Sequence, residues 1–120
     1  MYVTFCEAIA REEGWLVLTS RARRNHNPGN MEYGEFARTH GAIASDGRFA
    51  IFPDDKAGFA AMSALLTKHY LGGTLEACVA KWAPPTENDT EKYIANVLAW
   101  TGHDPKTIMT AELLAPPLIA

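Results

Sequence analysis

The stretch "SDGRFAIFPDDKAGFAAMSALLTKHY", residues 45–70, carries signals for both a β-hairpin and a long helix. Its opening "SDGR" is typical of a tight hairpin turn, because Asp-Gly tolerates the positive φ angles that such turns require. Pro53 and Asp54 then begin a helix that continues to about Tyr70, with an apolar stripe that starts at Phe59. Strand and helix signals side by side predict an α+β fold.

Helical segments predominate in the rest of the chain. Capping and periodicity signals predict helices over about 2–13, Thr74–Trp82, Asn88–Gly102 (with Asn88 as the N-cap) and 110–114. Residues 15–32 are polar and irregular, and the strand candidates lie at about 33–38, 41–44 and 48–52. We therefore predict one mainly helical α+β domain over residues 1–120, with a small β-hairpin region.

Composition and charge argue against several classes of protein. Hydrophobic residues make up 48% and charged residues 21% of the 120 residues, which is typical of a globular domain. The net charge of −3 gives no basic field for nucleic acid. No apolar run approaches ~18 residues, so no membrane insertion is expected. The N-terminus lacks the pattern of a signal peptide, which predicts synthesis in the cytoplasm.

Cysteine and histidine usage gives no indication of a metal or cofactor. Cys6 and Cys78 lie far apart on predicted helix faces, and we interpret them as buried free thiols. The four histidines also lack the spacing of metal ligands. We expect neither a metal site nor a cofactor.

Two carboxylates end the first predicted helix, in "AREEGW" at residues 10–15, where the partial negative charge of the helix end disfavours them. On a helical wheel Glu13 projects between Ile9 and Cys6, into the apolar face, whereas Glu12 falls at its edge, nearer solvent. Burial and the helix end both favour the protonated form of such a carboxyl, which suits a general acid working near neutral pH. The alternative is a pair of solvated glutamates on a frayed last turn.

A loop rich in amide and cationic side chains follows, "RRNHNPGN" at residues 23–30. Asn27 and Asn30 each belong to a dipeptide that is typical of turns, so a tight loop accounts for both residues. The same amides, with the neighbouring arginine and histidine side chains, also suit sugar hydroxyls, acetamides and carboxylates. The residues alone leave both interpretations open.

The order and spacing of several segments resemble phage and prophage peptidoglycan-cleaving domains of the lysozyme-like superfamily, relatives of soluble lytic transglycosylases and muramidases. The segments are a helix-ending glutamate followed by glycine and an aromatic residue, then "NPGN", "DGRFAIF", "AGFAAMSALL" and "APPTENDTEKYIANV". The resemblance runs from about residue 5 to residue 103. It departs from the family at the "AYN.G" motif, in whose place "KWAPPTEN" stands.

The resemblance implies a lysozyme-like fold and an enzyme that cleaves peptidoglycan at the β-1,4 bond between N-acetylmuramic acid and N-acetylglucosamine. Glu13 matches the glutamate that serves as the catalytic acid. Tyr93 matches a tyrosine near that carboxylate, and "NPGNM" matches the loop that lines the glycan cleft. The substrate-binding residues are thus expected to be Asn27, Asn30 and Tyr93.

Two catalytic routes remain open at this point. Hydrolysis by a muramidase requires a second carboxylate, for which Glu32, Glu35 and Asp46 are candidates. The hairpin turn explains the presence of Asp46 equally well. A lytic transglycosylase uses one glutamate as acid and then as base. Because Glu13 has no convincing partner in the sequence, the transglycosylase route is slightly favoured.

Two other functions compete with the enzyme. A cell-wall-binding or virion structural protein would keep the fold without catalysis. A nucleic-acid-binding protein using "RARRNH" is disfavoured by the net charge of −3. For the enzyme we expect a monomer that reaches the cell wall by holin-type release, injection or virion delivery.

Overall fold

Six helices and one two-stranded antiparallel sheet form the regular structure of residues 1–119, the part of the chain that the computed structural model describes. The helices are α1 (Phe5–Glu12), α2 (Arg21–Arg24), α3 (Glu35–Thr39), α4 (Asp55–Tyr70), α5 (Leu75–Trp82) and α6 (Thr90–Thr101). The strands β1 (Ala44–Ser45) and β2 (Ala50–Ile51) lie between α3 and α4. The predicted mainly helical α+β class is confirmed.

Side-chain caps determine where α4 and α5 begin. The Asp54 carboxylate accepts a hydrogen bond from the backbone N–H of Ala57, at 2.8 Å. The Thr74 hydroxyl accepts one from the N–H of Ala77, at 3.3 Å. Each bond satisfies a donor that has no partner within its helix. The predicted bounds of both helices are confirmed.

The hairpin turn lies at Asp46-Gly47, as predicted. The Asp46 carboxylate accepts hydrogen bonds from the N–H groups of Arg48 and Phe49, at 3.0 and 2.8 Å. Gly47 adopts a φ of 112°, which a residue with a side chain rarely adopts. These contacts hold the register in which Ala44 pairs with Ile51 and Ser45 pairs with Ala50.

The strand predicted over 33–38 is wrong, because most of this stretch forms α3. The carbonyls of Gly34 and Phe36 accept hydrogen bonds from the N–H groups of Arg38 and His40, so the backbone closes on itself instead of pairing with a neighbour. The irregular stretch over 15–32 also contains the short helix α2, which the sequence analysis did not predict.

The C-terminal segment and the start of α6 require two further corrections. Residues 111–114 form turns, so the helix predicted over 110–114 does not form. One helical bond joins Leu114 N–H to the Thr110 carbonyl, and the prolines at 116–117 have no N–H with which to continue it. The N-cap of α6 is Asp89 and not Asn88, because the Asp89 carboxylate accepts the N–H of Lys92.

Two groups of buried side chains form the core. The larger joins the helices, with α1 packed chiefly against α6, and includes Phe5, Ile9, Met62, Leu66, Val79 and Val97. The smaller lies under the hairpin region and includes Met31, Ala50, Phe52 and Ala61. Cys6 and Cys78 are buried and free, as predicted. None of the helices in residues 1–119 has both the length and the apolar character needed to cross a bilayer.

Helix α4 passes against the backbone of the 26–28 loop at Gly58. A Cβ atom at this position would lie closer to the His26 carbonyl oxygen than the van der Waals distance allows, and it would lie 2.9 Å from Pro28 Cδ. Gly58 therefore lets α4 and the loop approach closely. This approach connects the helical core to the loop that carries Asn27 and Asn30.

Candidate active site

An open cleft of about 720 Å³ lies beside the end of α1. Its lining residues come from the end of α1, the loop over 29–32, α3, the hairpin, α4, α5 and residues 87–88, and the lining includes side chains that belong to or pack against both core groups. The side chains of Glu13, Asn30, Glu32, Phe36, Arg48 and Trp82 contribute to this surface. Acid, amide, cation and aromatic groups thus face one space.

Glu13 lies at the C-cap of α1 and makes two side-chain contacts with distant parts of the chain. The Tyr93 hydroxyl donates a hydrogen bond to Glu13 Oε2 at 2.9 Å. Asn30 Nδ2 donates to Glu13 Oε1 at 3.3 Å and to the Glu13 main-chain carbonyl at 3.2 Å. The structure therefore brings Tyr93 and Asn30 to Glu13. Tyr93 is buried and is not part of the cleft wall, however, so the prediction that it lines the cleft as a substrate-binding residue is wrong.

Burial raises the pKa of Glu13 above its ordinary value of 4.5. Donors on Tyr93, Asn30 and Trp82 oppose the rise because they stabilise the ionised carboxylate, and the neighbouring charge of Glu12 adds to it. The net shift is upward, in the direction predicted from the helical wheel. Glu13 therefore retains its proton to higher pH than an exposed glutamate does.

Tyr93 is held in the form that donates to Glu13. Only 4% of this α6 residue is exposed. Burial is the main cause that raises the pKa of its hydroxyl, and the negative charge of Glu13 adds to it. The phenol therefore remains protonated and fixes the Glu13 carboxyl in position from the α6 side.

Asn30 reaches Glu13 from an unusual backbone conformation. Its φ of 47° lies in the left-handed region, which asparagine tolerates better than most residues. Its Nδ2 group donates hydrogen bonds to Glu13. Its Oδ1 atom is buried and has no hydrogen-bond partner within residues 1–119. Asn30 is thus both part of the cleft wall and a positioning residue for Glu13.

Asn27 lies outside the cleft, so the prediction that it binds substrate there is wrong. Its side chain is 1% exposed. Nδ2 donates to the carbonyls of Met31 and Ala50, at 3.0 and 2.9 Å, and Oδ1 accepts the N–H of Met31 at 2.9 Å. These bonds satisfy the amide inside the loop, so Asn27 ties the loop to β2 and the tight-turn interpretation holds for it.

The candidate second carboxylates occupy different environments. Asp46 is taken up by the hairpin turn, where the N–H of Phe49, the Asn25 amide and the N–H of Arg48 hold its pKa at about 2. Glu32 does line the cleft, but its side chain is 65% exposed and pairs with Arg48 Nε at 2.8 Å. Glu35 is exposed on α3 and is not part of the cleft wall. Glu13 is the one of these carboxyls that burial favours in its protonated form.

Glu12 is half-buried and has a partner that the sequence analysis missed. Its carboxylate accepts a hydrogen bond from Asn96 Nδ2 on α6. Asn96 follows Tyr93 by three residues, so both lie on the same helix face and meet consecutive glutamates. This spacing was visible in the sequence as a polar residue beside the apolar face of α6.

The remaining cleft residues were also not predicted as site residues. Trp82 ends α5 and packs edge-on against Tyr70, with ring centroids 6.4 Å apart. Phe36 lies beneath Lys68, and Arg48 lies 4.8 Å from the ring centre of Phe49. The cleft therefore presents flat apolar surfaces next to charged groups, a combination suited to sugar rings with polar substituents.

No group of three or more histidine, cysteine or carboxylate side chains within residues 1–119 is arranged to hold a metal ion.

Comparison of the chain with models of known protein families and with curated proteins returns no match.

Proposed function

We propose that the chain cleaves the glycan strands of peptidoglycan at the β-1,4 bond between N-acetylmuramic acid and N-acetylglucosamine, with Glu13 as the general acid. The observation that carries this proposal is a carboxyl of raised pKa in an open cleft, held by Tyr93 and Asn30. We also propose that the α+β architecture is lysozyme-like, as the resemblance implies.

The proposed reaction begins with transfer of the Glu13 proton to the glycosidic oxygen as its bond to the muramic C1 breaks. The carboxylate then accepts the proton of the muramic C6 hydroxyl, whose oxygen bonds to C1 and gives an anhydro sugar. The donors on Tyr93 and Asn30 stabilise the carboxylate between the two steps.

The environments of Asp46 and Glu32 favour this transglycosylase route over hydrolysis. Hydrolysis needs a second carboxylate to stabilise the oxocarbenium ion or activate water. Asp46 is bound within its turn, and Glu32 is paired with Arg48. A mechanism that uses Glu13 twice requires neither of them.

Mass spectrometry of muropeptides released from purified cell walls tests the proposal. Anhydro-muramic products are expected. Reducing muramic ends would instead identify a muramidase, with Glu32 as the carboxylate to examine next. No released products would contradict the enzyme and leave a cell-wall-binding or virion structural protein.

The Tyr93→Phe variant tests how Glu13 is held. We expect a loss of about ten-fold or more in activity, because a hydrogen bond to a charged group is removed. That bond lowers the pKa of Glu13, so its loss raises the pKa further. The high-pH limb of the pH–rate profile, which requires protonated Glu13, should move to higher pH.

The matched control is Tyr33→Phe, at a tyrosine 38% exposed outside the cleft wall, which should leave both rate and profile unchanged. A high-pH limb that stays in place in Tyr93→Phe would contradict the assignment of Glu13 as the acid.

A further inference from the structure

The loop after α1 exposes three consecutive apolar side chains: Leu16 is 66%, Val17 58% and Leu18 73% exposed. The loop is nevertheless held in a defined shape. The N–H of Val17 donates to the Gly14 carbonyl at 3.0 Å, and the N–H of Ser20 donates to the Val17 carbonyl at 2.9 Å. Two tight turns thus hold these apolar side chains in solvent, although their burial would be energetically favourable. We name residues 15–20 the apolar loop.

Two arginines lie at the base of the apolar loop. The Arg23 guanidinium lies 4.5 Å from the ring centre of Trp15, and Arg24 donates to the Thr19 carbonyl at 2.8 Å. Within residues 1–119, neither arginine has a carboxylate within 4.0 Å. Their charges are therefore available to an anionic partner next to the apolar tip.

The charge of the chain is distributed unevenly around this feature. Residues 14–52 carry five arginines and three carboxylates, whereas the remainder carries six basic and eleven acidic side chains. An anionic surface would attract the part that contains the apolar loop and repel the rest. The stretch that contains the apolar loop thus has a net positive charge, and the remainder of the chain has a net negative charge.

We propose that the apolar loop docks on the surface of an anionic phospholipid bilayer. Leu16, Val17 and Leu18 enter the boundary between headgroups and acyl chains, and Arg23 and Arg24 meet the lipid phosphates. This is attachment at the interface and needs no spanning helix. The proposal does not depend on the function of Glu13.

A protein partner fits the apolar loop less well. Stable protein interfaces bury ~800 Å² on each partner, and three aliphatic side chains on one loop supply only a small part of that area. A bilayer needs no complementary shape. Arg23 and Arg24, which have no carboxylate within 4.0 Å among residues 1–119, also add attraction to phosphate, which a neutral apolar partner would not use.

The test is co-sedimentation with vesicles of phosphatidylglycerol and phosphatidylethanolamine, compared with vesicles of phosphatidylcholine. We expect the parent to bind the anionic vesicles and to be released by salt. The triple variant Leu16→Ser, Val17→Ser, Leu18→Ser should bind at least ~10-fold more weakly. Arg24→Gln should weaken binding about five-fold, as expected for one cation near an anionic surface.

The control for the triple variant changes exposed apolar side chains elsewhere, as Ile43→Ser, Leu71→Ser, Ile108→Ser, which are 67%, 56% and 53% exposed in the parent. It should bind vesicles like the parent. Both triple variants should keep the parent's activity on purified, lipid-free cell walls, so failure of docking and failure of the proposed enzyme give different results.

Three outcomes would overturn the docking proposal. In the first, the parent does not sediment with anionic vesicles. In the second, the two triple variants bind these vesicles equally. In the third, sedimentation velocity shows that the parent self-associates through the loop and the Leu16–Leu18 triple variant is monomeric, which would make a second copy of the chain the occupant.

Discussion

The Glu13→Gln variant is expected to lose at least ~100-fold of its activity on purified cell walls, measured as the rate of turbidity clearing. Glutamine keeps the size and the hydrogen-bonding capacity of the side chain, but it has no proton to give to a glycosidic oxygen. The matched control is Glu12→Gln. Its side-chain oxygen still accepts the Asn96 amide proton, so activity should change little.

The same variant gives a stability readout that is independent of catalysis. Because burial raises the folded-state pKa of Glu13 above 4.5, the folded chain binds this proton more tightly than the unfolded chain. The resulting stability is fully present below the unfolded pKa and is lost as pH rises through the folded pKa. Glutamine has no such dependence. The difference in Tm, Glu13→Gln minus parent, should therefore increase as pH rises from the unfolded-state pKa to the folded-state pKa of Glu13. Above the folded-state pKa the difference should level off.

Each outcome of the pair has a defined meaning. If Glu12→Gln is the inactive variant, the acid is Glu12 and the assignment is wrong by one residue. If both variants keep full activity, the glycosidase proposal falls. If the Tm difference between Glu13→Gln and the parent is constant from low to neutral pH, the raised pKa is contradicted.

The second large effect is expected at Gly58, where Gly58→Ala should destabilise the fold. Alanine in a helix is usually favoured over glycine by roughly 0.5–1 kcal/mol. Here the added methyl group meets the His26 carbonyl and Pro28, so α4 and the loop must separate. We expect a loss of at least ~3 kcal/mol in the free energy of unfolding, or roughly 10 °C in Tm.

The control for Gly58→Ala is Gly34→Ala, where a methyl group would meet nothing within 4 Å and the φ of 179° is extended backbone. Its Tm should stay within about 2 °C of the parent. A Gly58→Ala variant as stable as the parent would show that the loop and α4 are not in close contact.

Local signals in the sequence were sufficient for the elements that local chemistry controls. Asp54 and Thr74 cap helices wherever a helix follows them, and Asp46-Gly47 turns a hairpin through its own backbone angles. The apolar side of α1 likewise predicted that Glu13 would be partly buried. These features depend on neighbouring residues, which a single sequence displays directly.

Features that depend on distant contacts were not predictable in the same way. In the stretch over 33–38 only Tyr33 bonds to the hairpin, through its N–H to the Arg48 carbonyl, and the residues from Glu35 onwards form α3. Asn27 and Asn30 look alike in the sequence, yet one is bonded within its loop and the other to Glu13. The pairing of Arg48 with Glu32 requires the hairpin to fold next to the loop that carries Glu32.

Two side-chain hydrogen bonds join the end of α1 to α6, Tyr93 to Glu13 and Asn96 to Glu12, across 80 and 84 residues of chain. On a ribosome that adds ~5–20 residues per second, Glu13 is made roughly 4–16 s before Tyr93. Until α6 leaves the exit tunnel and docks, the glutamate has no phenol beside it, and a nascent chain that stalls earlier cannot complete this arrangement. Non-local closure of this kind also slows folding relative to bundles with local contacts. The order of synthesis therefore makes the arrangement around Glu13 one of the last parts of the molecule to assemble.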